Sequence, residues 1–245
     1  MTIPANVADT DNNGHGTHVA GIAAGSTYGI AKAANVIAVK VFNDAGFGST
    51  SDVIAGLDWV SMQHRSGNAT VSVVTLSLGG SVSPSLDAAV DAIIAAGVHV
   101  VTAAGSSSSD ACNYSPGHNP NVINVFSTDA EDNMIPSANF GPCGTLLCTF
   151  ELALMRILVT LGAPGHSITS LWIGDSLAEV RTLSGTVARQ LLYVFSPCCR
   201  VVHVGAARCR NDCAVCVNGC YAFDAGGDEG PYRDVGHCWR AARCP

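Results

Sequence analysis

The chain has 245 residues, of which 48% are hydrophobic and 13% are charged, and its formal net charge is −7. A chain of this length can bury one full hydrophobic core, so the composition indicates a globular protein. The acidic balance argues against nucleic acid as a partner. No apolar run reaches the roughly 18 residues that a membrane span needs, and residues 1–6 do not read as a secretion signal.

The most informative stretch runs from Asp11 to Ala24. His15 lies between Gly14 and Gly16, just ahead of a run of small residues, which predicts an imidazole at the start of a buried helix. His18 follows three residues later. Two alternatives are a metal site formed by both histidines, or two ordinary core histidines. No third ligand follows at the spacing of a zinc-peptidase helix.

Strands and helices alternate after this stretch, as expected for a parallel α/β sheet. Ser51 and Asp52 are predicted to cap one amphipathic helix, and a second helix contains Leu86 to Ile94 and ends at Gly97. The predicted strands, identified by their β-branched content, are residues 36–42, 71–78, 98–102 and 122–126.

The stretch from Asp11 to Ala24 resembles the histidine motif of the subtilisin family of serine peptidases, and more closely its proteinase K-like branch. The resemblance implies that His15 is the general base and that His18 is a structural histidine. It also implies a three-layer α/β/α fold with a mostly parallel central sheet, which we expect to be truncated at both ends. Family members are typically secreted with a signal and a propeptide; neither is recognised here, so the localisation is left unassigned.

Three further segments resemble the peptide groove of that family. Gly46-Phe47-Gly48 resembles the edge segment that pairs with an extended substrate, and Ser77-Leu78-Gly79 resembles the segment facing it. Ala103-Ala104-Gly105 resembles the wall of the main specificity pocket. Glycine is needed where two backbones meet by strand addition. The implied partner is a peptide or protein substrate, bound by a monomer.

Other catalytic groups of the family are not matched. The family aspartate lies on a strand ahead of the histidine motif, whereas Asp9 and Asp11 lie too close to His15 and are interpreted as loop acids. Ser106 stands at the position of the asparagine that stabilises the oxyanion. Val187 stands at the position of the nucleophilic serine, and Ser184 aligns with a structural serine.

These departures lead to two functional hypotheses. The first is a subtilisin-like serine endopeptidase by descent, inactive in this chain because the nucleophile and the triad aspartate are missing. The alternative is a noncatalytic peptide-binding protein with a cysteine-rich extension.

The resemblance also divides the chain. Residues 1–142 match the first part of the family core and residues 159–188 match a remnant of it, whereas residues 143–158 form an atypical insertion. Residues 189–245 form a tail that holds 8 of the 11 cysteines and 7 of the 10 arginines, without lysine. We predict that this tail is not a folded domain.

Three interpretations of the tail stay open: a zinc cluster, a disulfide knot, or translated noncoding sequence. The candidate zinc ligands are Cys209, Cys213, Cys216, Cys220, His237 and Cys238. Arginine without lysine is typical of translated G/C-rich sequence, and every valine codon begins with GT, as introns do. Retained introns would account for residues 144–158 and for the change at Val187.

The family resemblance bears on calcium as well. Pro120 and Val122 match carbonyl donors of a calcium site in proteinase K-like members, but Thr160 replaces the carboxylate of that site. We therefore expect no metal and no other cofactor.

Overall fold

The computed structural model describes residues 1–5, 7–66, 71–143, 161–174, 180–183, 199–204 and 214–215. The helices are α1 (His15–Ala24), α2 (Thr50–Ser66) and α3 (Pro84–Ala95), and a short 3-10 helix covers Ala111–Asn113. The strands are β1 (Ala33–Val39), β2 (Val71–Leu76), β3 (Gly80–Ser81), β4 (Val98–Ala103), β5 (Tyr114–Ser115), β6 (Ile123–Thr128), β7 (Leu161–Pro164), β8 (Ile168–Leu171), β9 (Val180–Leu183), β10 (Cys199–Val204) and β11 (Ala214–Val215).

Seven strands form the central sheet in the order β11-β1-β10-β2-β4-β6-β7. Every neighbouring pair in this sheet is parallel. Two small antiparallel pairs, β3 with β5 and β8 with β9, lie outside it. The predicted α/β class with a mostly parallel central sheet is confirmed.

The helices cover both faces of this sheet. Successive residues of a strand point to opposite faces, so neighbouring strand residues show which helices pack on each face. Val74 and Val100 belong to the core cluster that includes α2 and α3 residues, whereas Val73 and Val101 belong to the cluster that includes α1 residues. The chain therefore forms the three layers of an α/β/α arrangement, with α1 and its His15 on one side.

The observed bounds differ from the predicted ones where another segment competes. The strand predicted at 36–42 ends at Val39, because the next residue, Lys40, bonds to the N-terminal segment instead. The Lys40 N–H donates to the Met1 carbonyl at 2.8 Å, and the Ile3 N–H donates to the Lys40 carbonyl at 2.9 Å. This segment extends the sheet beyond the end of β1.

The N-terminal cap of α2 is formed by Ser49 rather than by the predicted Ser51. The Ser49 hydroxyl accepts the Asp52 N–H at 3.1 Å, and the Asp52 carboxylate accepts the Ser49 N–H at 3.3 Å. This reciprocal pair is a capping box, and Asp52 keeps the capping role predicted for it.

The position of β10 is the least expected feature of the sheet. This strand comes from the residues predicted as a cysteine-rich tail, yet it pairs with β1 on one side and with β2 on the other. Val204 is level with Val39, and His203 is level with Thr75. The domain boundaries remain a prediction, and residues 144–158 lie outside the described residues. Among the helices that are described, none is long and apolar enough to cross a bilayer.

Candidate active site

His15 is the first residue of α1, and the turn before it is fixed by Gly14 and Asp11. Gly14 has φ +94°, and a Cβ at this position would overlap the indole ring of Trp172. The Asp11 carboxylate accepts the N–H of Gly14 at 2.8 Å and the N–H and hydroxyl of Thr17 at 2.8 and 2.7 Å. The imidazole is thus presented from a capped helix end whose geometry only glycine permits.

The charges around His15 follow from this arrangement. Burial lowers the pKa of His15 below its ordinary value; the negative charge of Asp11 opposes this, and His18 adds to it. Burial raises the pKa of Asp11, but hydrogen bonds from Gly14, Thr17 and Asn13 outweigh it and hold that pKa below the usual range. Asp11 is therefore a charged helix cap, in keeping with its interpretation as a loop acid.

A cavity of about 260 Å³ opens beside His15. Its lining residues are Asp11, Asn13, His15, Gly16, Lys40, Phe42, Asn43, Gly46 and Ser77. Three predicted site residues, His15, Gly46 and Ser77, are therefore brought together. The other predicted groove and oxyanion residues lie outside this lining: Phe47, Gly48, Leu78, Gly79, Ala103, Ala104, Gly105 and Ser106.

The loop that follows β1 is organised by the side chain of Asn43. Its amide oxygen accepts the N–H of Ala45 at 3.0 Å and of Phe47 at 3.1 Å. Phe47 is 74% exposed, so a large apolar side chain stands in solvent. A Cβ on Gly48 would overlap the ring of Phe42, so glycine is required there by packing. The loop therefore offers an exposed aromatic side chain on a constrained backbone.

The predicted pocket wall follows the end of β4. The Ala104 N–H donates to the Val125 carbonyl at 2.8 Å, and the Ala104 carbonyl accepts the Asn139 amide at 3.0 Å. The Gly105 carbonyl accepts the Asn139 N–H at 3.0 Å. Asn139 is buried, so one buried asparagine bonds to two of the three residues of this wall, Ala104 and Gly105.

The serine run that begins at Ser106 depends on the same asparagine. The amide oxygen of Asn139 accepts the N–H of Ser107 at 2.8 Å and of Ser109 at 3.2 Å. Ser106 itself is exposed. Sequence reasoning missed Asn139, because a single asparagine in a polar loop carries no periodic signal.

His18 faces away from solvent and joins α1 to β8. Its side-chain Nε2 lies 3.2 Å from the Ile168 carbonyl, and its own carbonyl accepts the Ser170 hydroxyl at 2.8 Å. Its ring lies 6.1 Å from that of Trp172, edge to face. These contacts hold the segment 161–174 against the helix that carries His15, and the structural role of His18 stays a prediction.

Cys112 and Cys143 form a disulfide with a Cα–Cα distance of 5.3 Å. With Asp110 they are the one described group of three side chains close enough to hold a metal ion. Oxidised sulfurs offer no thiolate, so this group does not fit a metal. Residue 143 begins the predicted insertion, and its pairing with Cys112 was not predicted.

Several predictions fall outside the described residues and are not placed by the fold. Val187 and Ser184 are two of them. Thr160, which replaces the carboxylate of the family calcium site, is a third, so the prediction about calcium is not tested by the described residues. The candidate zinc ligands of the tail are also in this set, namely Cys209, Cys213, Cys216, Cys220, His237 and Cys238.

Proteins of known family match this chain over most of its length. Subtilisin-like proteinase Spm1 of Pyricularia oryzae is 40% identical over 195 residues, which is 76% of this chain and 33% of the relative. Subtilisin-like protease 2 of Pseudogymnoascus destructans is 45% identical over 178 residues, covering 73% of this chain and 40% of the relative. This chain thus spans about a third to two fifths of the length of these two relatives.

A solved structure is similar as well. The crystal structure of a cold adapted subtilisin-like serine proteinase superposes with a TM-score of 0.64 at 40% identity, covering 75% of this chain and 59% of that one. The sequence profile of the Subtilase family matches residues 4–193. Together with a histidine at the start of a buried helix beside a cavity, these matches establish that the chain belongs to the subtilase family.

Proposed function

We propose that the cavity beside His15 is the peptide-binding site of a serine endopeptidase fold, and that this chain binds peptide there without completing hydrolysis. The observation that carries the proposal is the meeting of His15 with Gly46 and Ser77 around one cavity of about 260 Å³. The substrate class is an extended peptide or protein segment, because Gly46, in a loop that lines the cavity, leaves room for a second backbone to pair through hydrogen bonds.

The state of His15 supports its role as a general base. Burial lowers the pKa of its imidazole, so the ring is neutral at neutral pH and can accept a proton. In the family reaction a serine hydroxyl attacks the peptide carbonyl while the histidine takes the hydroxyl proton. The histidine then returns that proton to the leaving amine, and water later releases the acyl group.

Two groups of that reaction are not supplied by the residues at the expected positions: the carboxylate that holds the histidine and the serine nucleophile. Among the described residues, no carboxylate accepts a hydrogen bond from the His15 ring, and both Asp11 oxygens accept bonds from Asn13, Gly14 and Thr17 instead. Valine at position 187 carries no hydroxyl, so no acyl-enzyme forms at the expected place. Both arguments favour binding over turnover.

The catalytic half of the proposal is tested with the full chain and a serine-directed fluorophosphonate. We expect no covalent labelling by mass spectrometry and no hydrolysis of an activated peptide ester above the rate in buffer. A labelled serine, or ester turnover that disappears in His15→Ala, would contradict it.

The binding half is tested by titrating an extended peptide with apolar side chains into the full chain and following amide shifts by NMR. We expect saturable shifts around Gly46 and Ser77. Phe47→Ala should weaken binding about tenfold, since an exposed aromatic anchor carries much of a recognition energy. Phe140→Ala, another partly exposed phenylalanine, is the matched control and should bind as the parent does.

The messenger RNA gives a separate test of the catalytic prediction. A message that lacks codons 144–158 and continues after Thr186 as Ser-Met-Ala would encode a product with the nucleophile restored. That product should be an active endopeptidase, and the binding-only function would then apply solely to the present chain. A message that matches this chain throughout would support binding without turnover.

A further inference from the structure

Lys40 is a buried lysine at the end of β1, and it lines the cavity together with His15. Its ammonium donates to the Thr10 carbonyl at 2.8 Å and to the Asp44 carboxylate at 2.5 Å. The lysine side chain is only 4% exposed, whereas that of Asp44 is 45% exposed. A buried ammonium is costly unless it is bonded to acceptors, so this pair holds Asp44 to one place.

Asp44 also bonds to the loop that leads into α1. Its second carboxylate oxygen accepts the Asn12 side-chain amide at 2.9 Å, and its carbonyl accepts the Asn13 amide at 3.3 Å. The hydrogen bonds from Lys40 and Asn12 hold the pKa of Asp44 below its usual range, so the carboxylate is charged at neutral pH. One acidic residue therefore joins two loops.

These two loops, residues 11–14 and 43–48, form what we call the two-loop wall of the cavity. Asp11 and Asn13 from the first loop and Asn43 and Gly46 from the second all line it. Both loops lie outside the strands and helices, and the side chains of Asn12 and Asn13 join them by donating to Asp44. Lys40 lies beside the wall and bonds to Thr10, directly before the first loop, and to Asp44 in the second loop.

We propose that Asp44, anchored on the buried ammonium of Lys40, is a positioning residue that fixes the two-loop wall beside His15. The effect of this wall on peptide binding rests on the proposed function, in which the peptide lies along residues 46–48. The wall itself is a property of the unliganded chain and can be measured without any peptide.

The experiment measures amide hydrogen exchange by NMR in the full chain and in three variants. Asp44→Ala removes the carboxylate that bonds to Lys40 and Asn12. Asp58→Asn is the matched control, because it also removes one negative charge, but from the exposed face of α2. Lys40→Met with Asp44→Ala removes the link and also the buried ammonium, so this double variant decides the question if Asp44→Ala alone does not fold. The reporters are the amides of Gly46 and Phe47, and the reference is the amide of Val101 in β4.

We expect exchange at Gly46 and Phe47 to rise about tenfold in Asp44→Ala and in the double variant, with Val101 and the control unchanged, as for a local opening. Exchange that stays at the parent rate in both variants would overturn the proposal. A rise equal to that at Val101 would also overturn it, because it would show global destabilisation. If the parent binds no peptide while the wall loosens as expected, the proposed function fails and this inference stands.

Discussion

The two faces of the central sheet are packed in different ways. The aliphatic face is covered by α2 and α3, and its buried helix residues are Val53, Leu57, Val60, Leu86, Val90 and Ile93. The small-residue face is covered by α1, whose Ala23 and Ala24 lie against Val73, Val101 and Val125. Large side chains bury more apolar area, whereas alanine lets a helix axis lie closer to the strands.

This difference separates stability from positioning. Burial of a leucine or isoleucine side chain contributes about 1.5–3 kcal/mol, and alanine contributes much less, so the aliphatic face supplies most of the hydrophobic stabilisation. The small-residue face carries His15 at the start of α1, where Gly14 is in contact with Trp172 and His18 bonds to Ile168. The candidate site therefore lies on the face where close approach matters more than buried area.

The largest expected effect comes from the aliphatic face. Leu57 is 1% exposed, so Leu57→Ala leaves a cavity in that core and should lower the free energy of unfolding by about 2–5 kcal/mol. Ala23→Gly on the other face should cost about 1 kcal/mol, mainly through backbone entropy in the helix. Urea unfolding followed by circular dichroism measures the free energy of unfolding of both variants. Equal losses would contradict the conclusion that the aliphatic face supplies most of the stability.

The next effect concerns the covalent link near the pocket wall. Replacing both Cys112 and Cys143 by serine opens a loop with a sequence separation of 31 and should cost about 2–4 kcal/mol. The loss should appear in the parent protein as well when it is unfolded in the presence of a reductant. An unchanged unfolding midpoint in both experiments would show that this part of the site face is held by packing alone.

The smallest effect lies at the cap of α1. Asp11→Ala should cost about 1 kcal/mol at neutral pH, because the carboxylate accepts the N–H groups at the helix start. The pKa of Asp11 is lowered by folding, so its stabilisation is present above the pKa of the unfolded chain, about 4, and is lost as pH falls through the folded value.

Unfolding free energies at pH 6 and at pH 3 test this sign. The parent should lose more stability on acidification than Asp11→Ala does, and the difference should shrink as the carboxylate is protonated. The pKa of His15 is lowered by folding too, so His15 also makes the protein less stable as pH falls below about 6.5. His15→Gln should therefore flatten this part of the plot of stability against pH. Parallel profiles for all three proteins would contradict the assignment.

Local patterns were sufficient to predict most of the elements. The apolar repeat of α3 and the β-branched strands are periodic, and the observed Pro84–Ala95 and Val98–Ala103 enclose the predicted positions. The position of His15 at the start of a helix follows from its flanking glycines. Each of these features depends on residues close in sequence, which is why the sequence was enough.

Other features depend on partners far away in the chain and could not be predicted. The bonds of Asn139 to Ala104 and Ser107 span more than 30 residues, and those of Asp44 to Asn12 and Asn13 also span more than 30. The pairing of Cys112 with Cys143 is one of many possible pairings among 11 cysteines. Such contacts are decided by the packing of whole elements.

The central position of β10 has a consequence for the order in which the chain assembles. β1 and β2 are both synthesised long before Cys199–Val204, yet in the finished sheet neither is paired with the other. During synthesis, the edges of β1 and β2 that pair with β10 stay unpaired until more than 120 residues beyond β2 have been added. Long-range parallel pairing of this kind folds slowly and leaves unpaired strand edges open to other chains, so we expect refolding of the full chain to be slow and prone to aggregation.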